Sequence, residues 1–268
     1  MSVTAPTRIT PYGGMSAFRA QRLWERNYLV YRRLWKVLFT GLFEPIFYLF
    51  SIGVGLAALV GEIEFGGRLV PYTAFVAPAL MAASAMNGVT FETTFNIFFK
   101  LKFGKVYDGI LTTPMRPPDI AIGEIGWALF RGALYATAFF VVMLAMGLIE
   151  SWWGVLTVPG TVLIGFAFGA VGMAATTFMK SWQDFDLVQM VTLPLFLFSA
   201  TFYPLDVYPE VLQRIALISP LFHGTEILRS LSLGLFDWSL AGHVAFLAVM
   251  GAIGLLITNK RLDTLLRP

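Results

Sequence analysis

The stretch "KLKFGKVYDGILTTPMRPPD", residues 100–119, separates two long apolar runs of the chain. It carries four cationic residues and three prolines, whereas each flanking run has at most two charges. A transmembrane helix needs about 20 mostly apolar residues, so each flanking run is long enough to cross a membrane. Scanning outward in both directions finds six such runs, at 37–60, 72–98, 123–148, 154–178, 185–203 and 240–258. The sequence therefore predicts an all-α integral membrane protein with six transmembrane helices.

The composition of the chain also indicates lipid as its solvent. Hydrophobic residues make up 57% of the 268 residues and charged residues only 13%. In soluble domains about 45–50% of the residues are apolar and about 25% are charged. This chain therefore has too little polar surface to cover a water-exposed globule. The lack of cysteine in the sequence excludes a disulfide framework, a thiol nucleophile and a cysteine-based metal site. No apolar signal-peptide core precedes the first run, so we expect that run to be an uncleaved anchor.

The distribution of cations predicts the orientation of the chain in the membrane. With the N-terminus inside, the segments outside the spans carry 15 Lys and Arg residues on the cytoplasmic side and 3 on the outer side. By the positive-inside rule we expect both termini in the cytoplasm, for a multi-pass protein of the plasma (bacterial inner) membrane. We divide the chain into a cytoplasmic tail with an amphipathic helix, residues 1–36, and a six-span domain, residues 37–268.

Residues 17–36, "AFRAQRLWERNYLVYRRLWK", have the pattern of an amphipathic helix that lies in the membrane interface. Aromatic residues recur there at helical spacing, while Arg26 and most other arginines fall on the remaining surface. This pattern places the aromatics among the lipid headgroups and the cations towards anionic lipid. The alternative is a flank that only sets the topology and has no partner. The aromatic residues of the predicted face are Trp24, Tyr28, Tyr31 and Trp35.

The opening stretch predicts a short cytoplasmic helix over "KVYDGILTTP", parallel to the membrane, and the alternative is an ordinary loop. Its Thr-Thr-Pro sequence ends the helix because proline disfavours helical geometry at the preceding residue. The helix would present Tyr107, Asp108 and Leu111 to the cytoplasm. The following "RPPD" predicts a stiff turn, in which Asp119 caps the next helix.

The outside segment at 203–238 is too long for a simple connection and too apolar for a solvated loop. It predicts two short amphipathic helices, one begun by Pro209 and the other by Thr225 with Glu226. Together they suggest a re-entrant helical hairpin that dips into the outer leaflet before the last span. A seventh span is the alternative, and the cationic C-terminal end argues against it. His223 in this segment is either a structural residue or a proton switch.

Four ionisable residues lie within or near the spans, where a buried charge has to pair or to line a cavity. Glu92 lies about two turns from the cytoplasmic end of the second span and Arg131 about two turns into the third, so they can meet at similar depth. Glu124 shares a face with Arg131 because the two are seven residues apart. These residues form either a structural ion pair or part of a substrate path. The fourth is Glu44.

The fourth span contains a GxxxG pattern at Gly165 and Gly169, with Gly172 one turn further on. Small residues let helix backbones approach closely. The pattern predicts tight packing of this span, either within one chain or between two chains.

The chain lacks the motifs of an ATPase and of common membrane enzymes. No GxxxxGK[ST] phosphate loop, HExxH pair or GxSxG elbow occurs, and the two histidines lie in distant segments, which disfavours a metal site. We therefore expect no catalysis, no bound cofactor and no metal in this chain. The energy for any driven process has to come from a partner or from a gradient that acts on the intramembrane charges.

Three stretches resemble the permease subunits of ABC transporters in the ABC-type-2 exporter family, in the branch of nodulation lipo-oligosaccharide and daunorubicin-type exporters. They are "LFEPIFYLFSIGVGLAALVG" (42–61), "LKFGKVYDGILTTPMRPPDIAIGEI" (101–125) and "FSATFYPLDVYPEVLQRIALISPLFHGTEILRS" (198–230). The resemblance implies an ATP-driven exporter of amphipathic substrates: glycolipids, lipid-linked glycans or hydrophobic drugs. It also implies a second permease, identical or related, and separate ATPase subunits that bind ATP and Mg, with no nucleic-acid partner.

The resemblance further implies roles for three segments. Residues from about Gly104 to Thr113 would be the coupling helix, which sits in a groove of the ATPase, and the N-terminal amphipathic helix would be the connecting helix at the same interface. The outside segment would form re-entrant helices that cap the path. The coupling residues are Lys105, Val106, Tyr107, Asp108, Leu111, Thr112, Thr113 and Pro114. The re-entrant residues are Tyr203, Pro204, Pro209, Pro220, His223, Glu226 and Arg229.

Two other functions stay open on the residues alone. A gradient-driven carrier or channel would use Glu92, Glu124 and Arg131 and would transport without nucleotide. A membrane scaffold would leave the ATPase rate of a partner unchanged by any substrate.

Overall fold

The computed structural model describes residues 17–33, 43 and 46–266, and the protein is mostly helical. The elements in chain order are α1 (Ala17–Arg33), α2 (Ile46–Val60), β1 (Glu62–Phe65), β2 (Arg68–Pro71), α3 (Tyr72–Phe103), α4 (Val106–Ile110), α5 (Pro117–Ala145), α6 (Trp152–Thr176), α7 (Asp184–Phe198), α8 (Glu210–Ile218), α9 (Pro220–Leu233) and α10 (Ser239–Leu266).

Four of the described helices, α3, α5, α6 and α10, are long and apolar enough to cross a membrane. They correspond to four of the six predicted spans. The first predicted span is represented only by α2, because residues 37–42, 44 and 45 lie outside the described residues. The fifth is shorter than expected: α7 ends at Phe198, and Ala200 just beyond it has a φ of +54°, in the left-handed region that helices do not use.

Helix α6 packs against α3, α5, α9 and α10, and its glycines explain how closely the backbones approach. A Cβ atom on Gly169 would lie 2.7 Å from Val89, and one on Gly172 would lie 2.6 Å from Thr93 Oγ1. The Thr176 hydroxyl crosses the same contact and donates to the Thr93 carbonyl at 2.9 Å. The GxxxG pattern therefore serves a contact within the chain, between α6 and α3.

Helix α1 lies along α5, and its inner face was not assigned from the sequence. Its buried side chains are Ala20, Leu23 and Asn27. A Cβ atom on Gly123 would lie 2.6 Å from Leu23, so the glycine lets the two helices approach closely. Trp24 and Tyr28 of the predicted aromatic face are 38% and 58% exposed, and the placement of this face among lipid headgroups stays a prediction.

The connection between α3 and α5 forms the predicted short helix α4, followed by a turn at residues 111–114. The predicted orientation of this helix is wrong in part. Tyr107 and Leu111 are buried, and only Asp108 of the three faces outward, because Tyr107 bonds to a buried carboxylate described below. The "RPPD" sequence is not a separate turn, since its prolines begin α5. Asp119 caps that helix from its third position, where its Oδ2 accepts from the Arg116 backbone N–H at 3.1 Å.

The connection between α2 and α3 contains a small antiparallel hairpin of β1 and β2, which the sequence did not lead us to expect. Arg68 of this hairpin donates to the Leu233 carbonyl at the end of α9, at 2.6 Å, and pairs with Glu150 at 2.9 Å. The two predicted outer helices are present as α8 and α9. Helix α9 begins at Pro220 and not at Thr225, since Pro220 occupies the first helical position that proline favours.

Candidate functional site

A cavity of about 1020 Å³ lies between α3, α5 and α7, with Tyr31 of α1 and Tyr48 of α2 completing its wall. Volumes of about 300–1,000 Å³ are usual for small-molecule sites, so this cavity is large enough for an extended ligand. The two charged residues among its described lining residues are Glu92 and Arg131.

Glu92 and Arg131 meet in the wall of this cavity, as the sequence predicted. Arg131 Nη1 lies 2.5 Å from Glu92 Oε2, and both side chains are only 13% exposed. Asn96 Nδ2 donates to Glu92 Oε1 at 2.6 Å, and Arg131 Nη2 donates to the Tyr135 hydroxyl at 3.1 Å. The ion pair is thus held by further hydrogen bonds, which a desolvated pair requires.

Tyr31 brings helix α1 into the same cluster. Its hydroxyl donates to Glu92 Oε1 at 3.2 Å and accepts from Arg131 Nη1 at 2.8 Å, while the guanidinium lies 4.5 Å from the centre of the tyrosine ring. Burial and the neighbouring Glu92 carboxylate raise the pKa of Tyr31, so the hydroxyl keeps the proton that it donates.

Helix α3 changes locally to wider π-helical turns at residues 92–96, a distortion that is frequent at functional sites.

A second network surrounds Glu124 near the N-terminal end of α5. Lys100 Nζ lies 2.7 Å from Glu124 Oε2, and Asn27 Nδ2 donates to the same oxygen at 3.3 Å. The Tyr107 hydroxyl donates to Glu124 Oε1 at 3.2 Å. Burial, followed by the Glu124 carboxylate, raises the pKa of Tyr107, so this hydroxyl also stays protonated. One buried carboxylate therefore joins α1, α3, α4 and α5.

The two networks lie one after the other along helices α1 and α5, which contribute residues to both. Asn27 and Tyr31 lie one turn apart on α1, while Glu124 and Arg131 lie two turns apart on α5. Glu124 and Arg131 share a face, as predicted, yet each bonds to different partners. Sequence reasoning missed Asn27 and treated Lys100 only as a topogenic charge. The available signal for Asn27 was a polar residue one helical turn before Tyr31.

The aromatic residues of α1 pack on the third span. Trp24 lies 5.7 Å from Phe130 and 6.4 Å from Trp127, measured between ring centres, and Tyr31 lies 5.4 Å from Trp127. Arg26 is half-buried and donates to Asn27 Oδ1 at 3.4 Å. Trp35 and Glu44 lie outside the described residues, so their predicted roles stay predictions.

The remaining predicted coupling residues form an outward surface on α4 and the turn after it. The Thr112 and Thr113 hydroxyls donate to the carbonyls of Gly109 and Ile110, at 2.7 and 2.6 Å, and so hold the turn. Val106 is half-buried. The exposed residues of this surface are Lys105, Asp108, Thr112, Thr113 and Pro114.

Near the start of α3, Arg229 is fully buried and joins three parts of the chain. Its Nε donates to the Phe75 carbonyl at 3.0 Å, and its Nη2 donates to the carbonyls of Ala200 and Thr201 at 2.5 and 3.0 Å. Nη1 bonds to Glu226 at 3.2 Å. The arginine thus ties α9 to the start of α3 and to the broken end of α7. Of the other predicted residues here, Pro209 precedes α8, while Tyr203 and Pro204 lie in the connection after α7.

The two histidines are adjacent in space, which corrects our expectation that they lie apart. His223 Nδ1 on α9 lies 2.6 Å from His243 Nδ1 on α10, and the His223 ring stacks on Phe246 with ring centres 4.0 Å apart. A sequence separation of twenty residues concealed the contact, because only the packing of α9 on α10 creates it. No group of three or more His, Cys, Asp or Glu side chains within the described ranges could hold a metal ion.

The spanning helices, and the large cavity between them with its charged cluster in an otherwise mainly apolar wall, define a multi-pass membrane protein with room for a transported molecule. Residues 19–233 match the ABC-2 type transporter family, and the chain belongs to that family. This confirms the resemblance, including its nodulation branch.

Several relatives carry the name Nodulation protein J. The one from Rhizobium leguminosarum bv. trifolii is 34% identical over 230 residues, which cover 85% of this chain and 86% of that protein. The one from Rhizobium leguminosarum bv. viciae is 30% identical over 255 residues, covering 94% and 95%. The one from Sinorhizobium fredii is 31% identical over 234 residues, covering 86% and 87%. The chain is therefore an ABC transporter membrane subunit.

Proposed function

We propose that this chain is the six-span subunit of an ATP-driven exporter that moves an amphipathic cargo out of the inner leaflet or the cytoplasm. It acts in the bacterial inner membrane with both termini in the cytoplasm. It pairs with a second permease, either another copy or a related chain, and with ATPase subunits that bind ATP and Mg. The cargo class is a glycolipid, a lipid-linked glycan or a hydrophobic drug.

The observation that carries this proposal is the shared carboxylate of Glu124. Tyr107 on the inner face of α4 and Asn27 on α1 both bond to it, while Asp108 and Thr113 on the outer face of the same segment are exposed. A protein that docks on the outer face and moves α4 would displace Tyr107 relative to Glu124. Because Glu124 lies on a helix that also lines the cavity, the movement would reach the cargo site.

The first experiment is purification of the detergent-solubilised chain from its native host, followed by an ATPase assay. We expect a stoichiometric ATPase with a phosphate-binding loop to be recovered. Recovery of the chain alone, with no nucleotide-hydrolysing partner, would contradict the proposal. It would favour a gradient-driven carrier that uses Glu92 and Arg131.

A variant separates docking from folding. The double substitution Asp108→Ala and Thr113→Ala changes two exposed side chains, so the permease is expected to fold but to recover much less ATPase. Glu210→Gln, an exposed change at the start of α8, serves as the matched control on the other side of the membrane. Unchanged ATPase recovery in the double variant would remove α4 from the interface.

A further inference from the structure

The wall of the cavity changes in polarity along the membrane normal. Helices α3 and α5 are antiparallel, since Lys100 contacts Glu124 at one end and Glu92 contacts Arg131 nearer the middle. The lining residue Leu80 lies twelve positions before Glu92 on α3, which is about 18 Å along the helix axis. The outer part of the wall is mainly apolar and includes Leu80, Met81, Phe139, Leu193 and Phe196.

The cytoplasmic end of the cavity is lined by clustered aromatic side chains, which form its floor. Trp182 lies 5.2 Å from Phe95 and 5.0 Å from Phe99, measured between ring centres, and Phe185 lies 5.4 Å from Phe95. The Glu92–Arg131 cluster therefore lies between this aromatic floor and the apolar outer part. A ligand that fills the cavity has to place its most polar portion at the level of the cluster.

The charge of the lining restricts what that polar portion can be. Glu92 and Arg131 are the charged members of the described lining and are paired with each other, so together they contribute no net charge. A ligand with a net charge would leave that charge without a counter-ion in a largely desolvated site, and such burial is costly. The cluster therefore favours a polar group that has no net charge.

Two atoms beside the cluster retain hydrogen-bonding capacity. Within the described part of the chain, Arg131 Nε and Thr90 Oγ1 are buried and make no hydrogen bond. Buried polar groups in proteins are normally satisfied, but both atoms are covered in this structure, so they would reach ligand oxygens only after a local shift of the wall. Amide side chains of Asn87 and Gln189 line the same cavity and add further donors and acceptors.

We propose that the cavity binds one amphiphile in the orientation of an inner-leaflet lipid. An uncharged, hydrogen-bonding head lies at the Glu92–Arg131 cluster, and an apolar chain extends towards Leu80, Phe139 and Phe196. This inference rests on the proposed function for which end of the cavity faces the cytoplasm. It adds the charge of the head group and the orientation of the cargo.

The test uses the full chain in lipid nanodiscs, without nucleotide and without a partner. The probe is dodecyl maltoside with a diazirine at the end of its alkyl chain, and mass spectrometry maps the photo-adducts. We expect adducts at the outer end of the cavity, on residues such as Leu80, Phe139 and Phe196. Adducts at Trp182 and Phe185 would reverse the orientation, and adducts only on the lipid-facing surface would exclude the site.

Charge selectivity is then measured by competition with dodecyl sulfate and dodecyltrimethylammonium. In the unaltered chain neither should displace the probe as well as unlabelled dodecyl maltoside. Glu92→Gln leaves the Arg131 charge without a partner. Dodecyl sulfate can supply the missing negative charge, so it should compete at least about tenfold better with this variant than with the unaltered chain, because an unpaired charge within the membrane is costly. Arg131→Gln should likewise improve competition by dodecyltrimethylammonium. The control Glu210→Gln should leave competition by both charged detergents unchanged.

If the unaltered chain and both cavity variants show the same preference among neutral, anionic and cationic detergents, the Glu92–Arg131 cluster does not select the charge of the head group. If either variant fails to fold, the adduct map of the unaltered chain still decides the orientation. Because no ATPase is present, failure to recover such a partner leaves this result unaffected. A reversed adduct map, in turn, would leave the ATP-driven exporter proposal standing.

Discussion

Tyr107 donates a hydrogen bond to Glu124 across 3.2 Å, from the buried face of a five-residue helix to the buried end of a spanning helix. The two residues are 1% and 3% exposed. The contact joins the exposed α4 surface to the helix that carries Arg131 in the cavity. In the proposed function this contact is the mechanical link between the ATPase-docking surface and the cargo site, and its removal is the most direct test of that link.

Tyr107→Phe should separate ATPase binding from its stimulation by cargo. The ring keeps its packing and only the hydrogen bond is lost, so we expect a loss of about 1 kcal/mol in stability. The ATPase should still co-purify, while cargo-stimulated hydrolysis falls. The matched control is Tyr28→Phe, the same change at an exposed position on α1. Stimulation that is equal in the two variants would show that the Tyr107–Glu124 bond transmits nothing.

Gly172→Ala should destabilise the contact between α6 and α3. The added methyl group would lie 2.6 Å from Thr93 Oγ1, and overpacking of this kind costs about 1–3 kcal/mol. Gly88→Ala is the matched control, because no atom lies within 4 Å of a Cβ there. Thermal unfolding of both variants in detergent measures the difference. Equal melting temperatures would mean that α6 and α3 do not approach as closely as the structure has them.

Arg229→Met should be among the most damaging substitutions on the outer side. It leaves three backbone carbonyls and Glu226 without their donor, and breaking a buried pair costs about 3–5 kcal/mol. Arg214→Met on neighbouring α8 is the control, since that side chain is exposed. The yield of folded protein and its melting temperature are the measurements. A melting temperature for the Arg229 variant close to that of the control would show that the outer segment does not depend on this residue.

The histidine pair should make stability fall in acid. A hydrogen bond of 2.6 Å between two Nδ1 atoms holds a single proton, so protonation of both rings breaks it. Burial, and then His243, lower the pKa of His223 from 6.5, so the folded state favours the neutral ring. Stability is therefore complete above pH 6.5 and is lost as the pH falls below it. The charged residue that interacts with the pair is Glu226, which is itself paired with Arg229.

The acid dependence of the histidine pair is simple to measure, because the chain has only two histidines. Histidine-selective ¹⁵N NMR from about pH 5 to 8 would observe the pair alone, and the two rings should titrate as a coupled unit. His243→Asn should remove the coupling and flatten the acid dependence of the melting temperature. Two independent titrations in the unaltered chain would show that the rings do not share a proton.

Single cysteines can test the six-span topology, since the sequence contains none. Asp108→Cys and Lys180→Cys, at exposed positions, should react with a membrane-impermeant maleimide only from the cytoplasmic side. Glu62→Cys and Glu210→Cys should react only from the outside. Labelling of positions 180 and 210 from the same side would mean that α7 does not cross the membrane.

Much of the fold was predictable because hydropathy is a local property. The four long spans, the short helix after the second span and the pairing of Glu92 with Arg131 all agree with expectation. The inward direction of Tyr107 was not predictable, since its partner Glu124 is seventeen positions away. The small β1–β2 hairpin was also missed, because its short strands lie in a segment treated as a simple connection.

The sequence by itself determined which segments are apolar enough to cross a membrane, which segments carry the cations and which apolar segments contain charges, because each of these depends on nearby residues alone. Only the tertiary structure decided which polar groups become partners. Asn27 reaches Glu124 across 97 positions, and Arg229 reaches the Phe75 carbonyl across 154. Such contacts depend on the rotation and depth of helices that are far apart in the chain, and helix packing sets both.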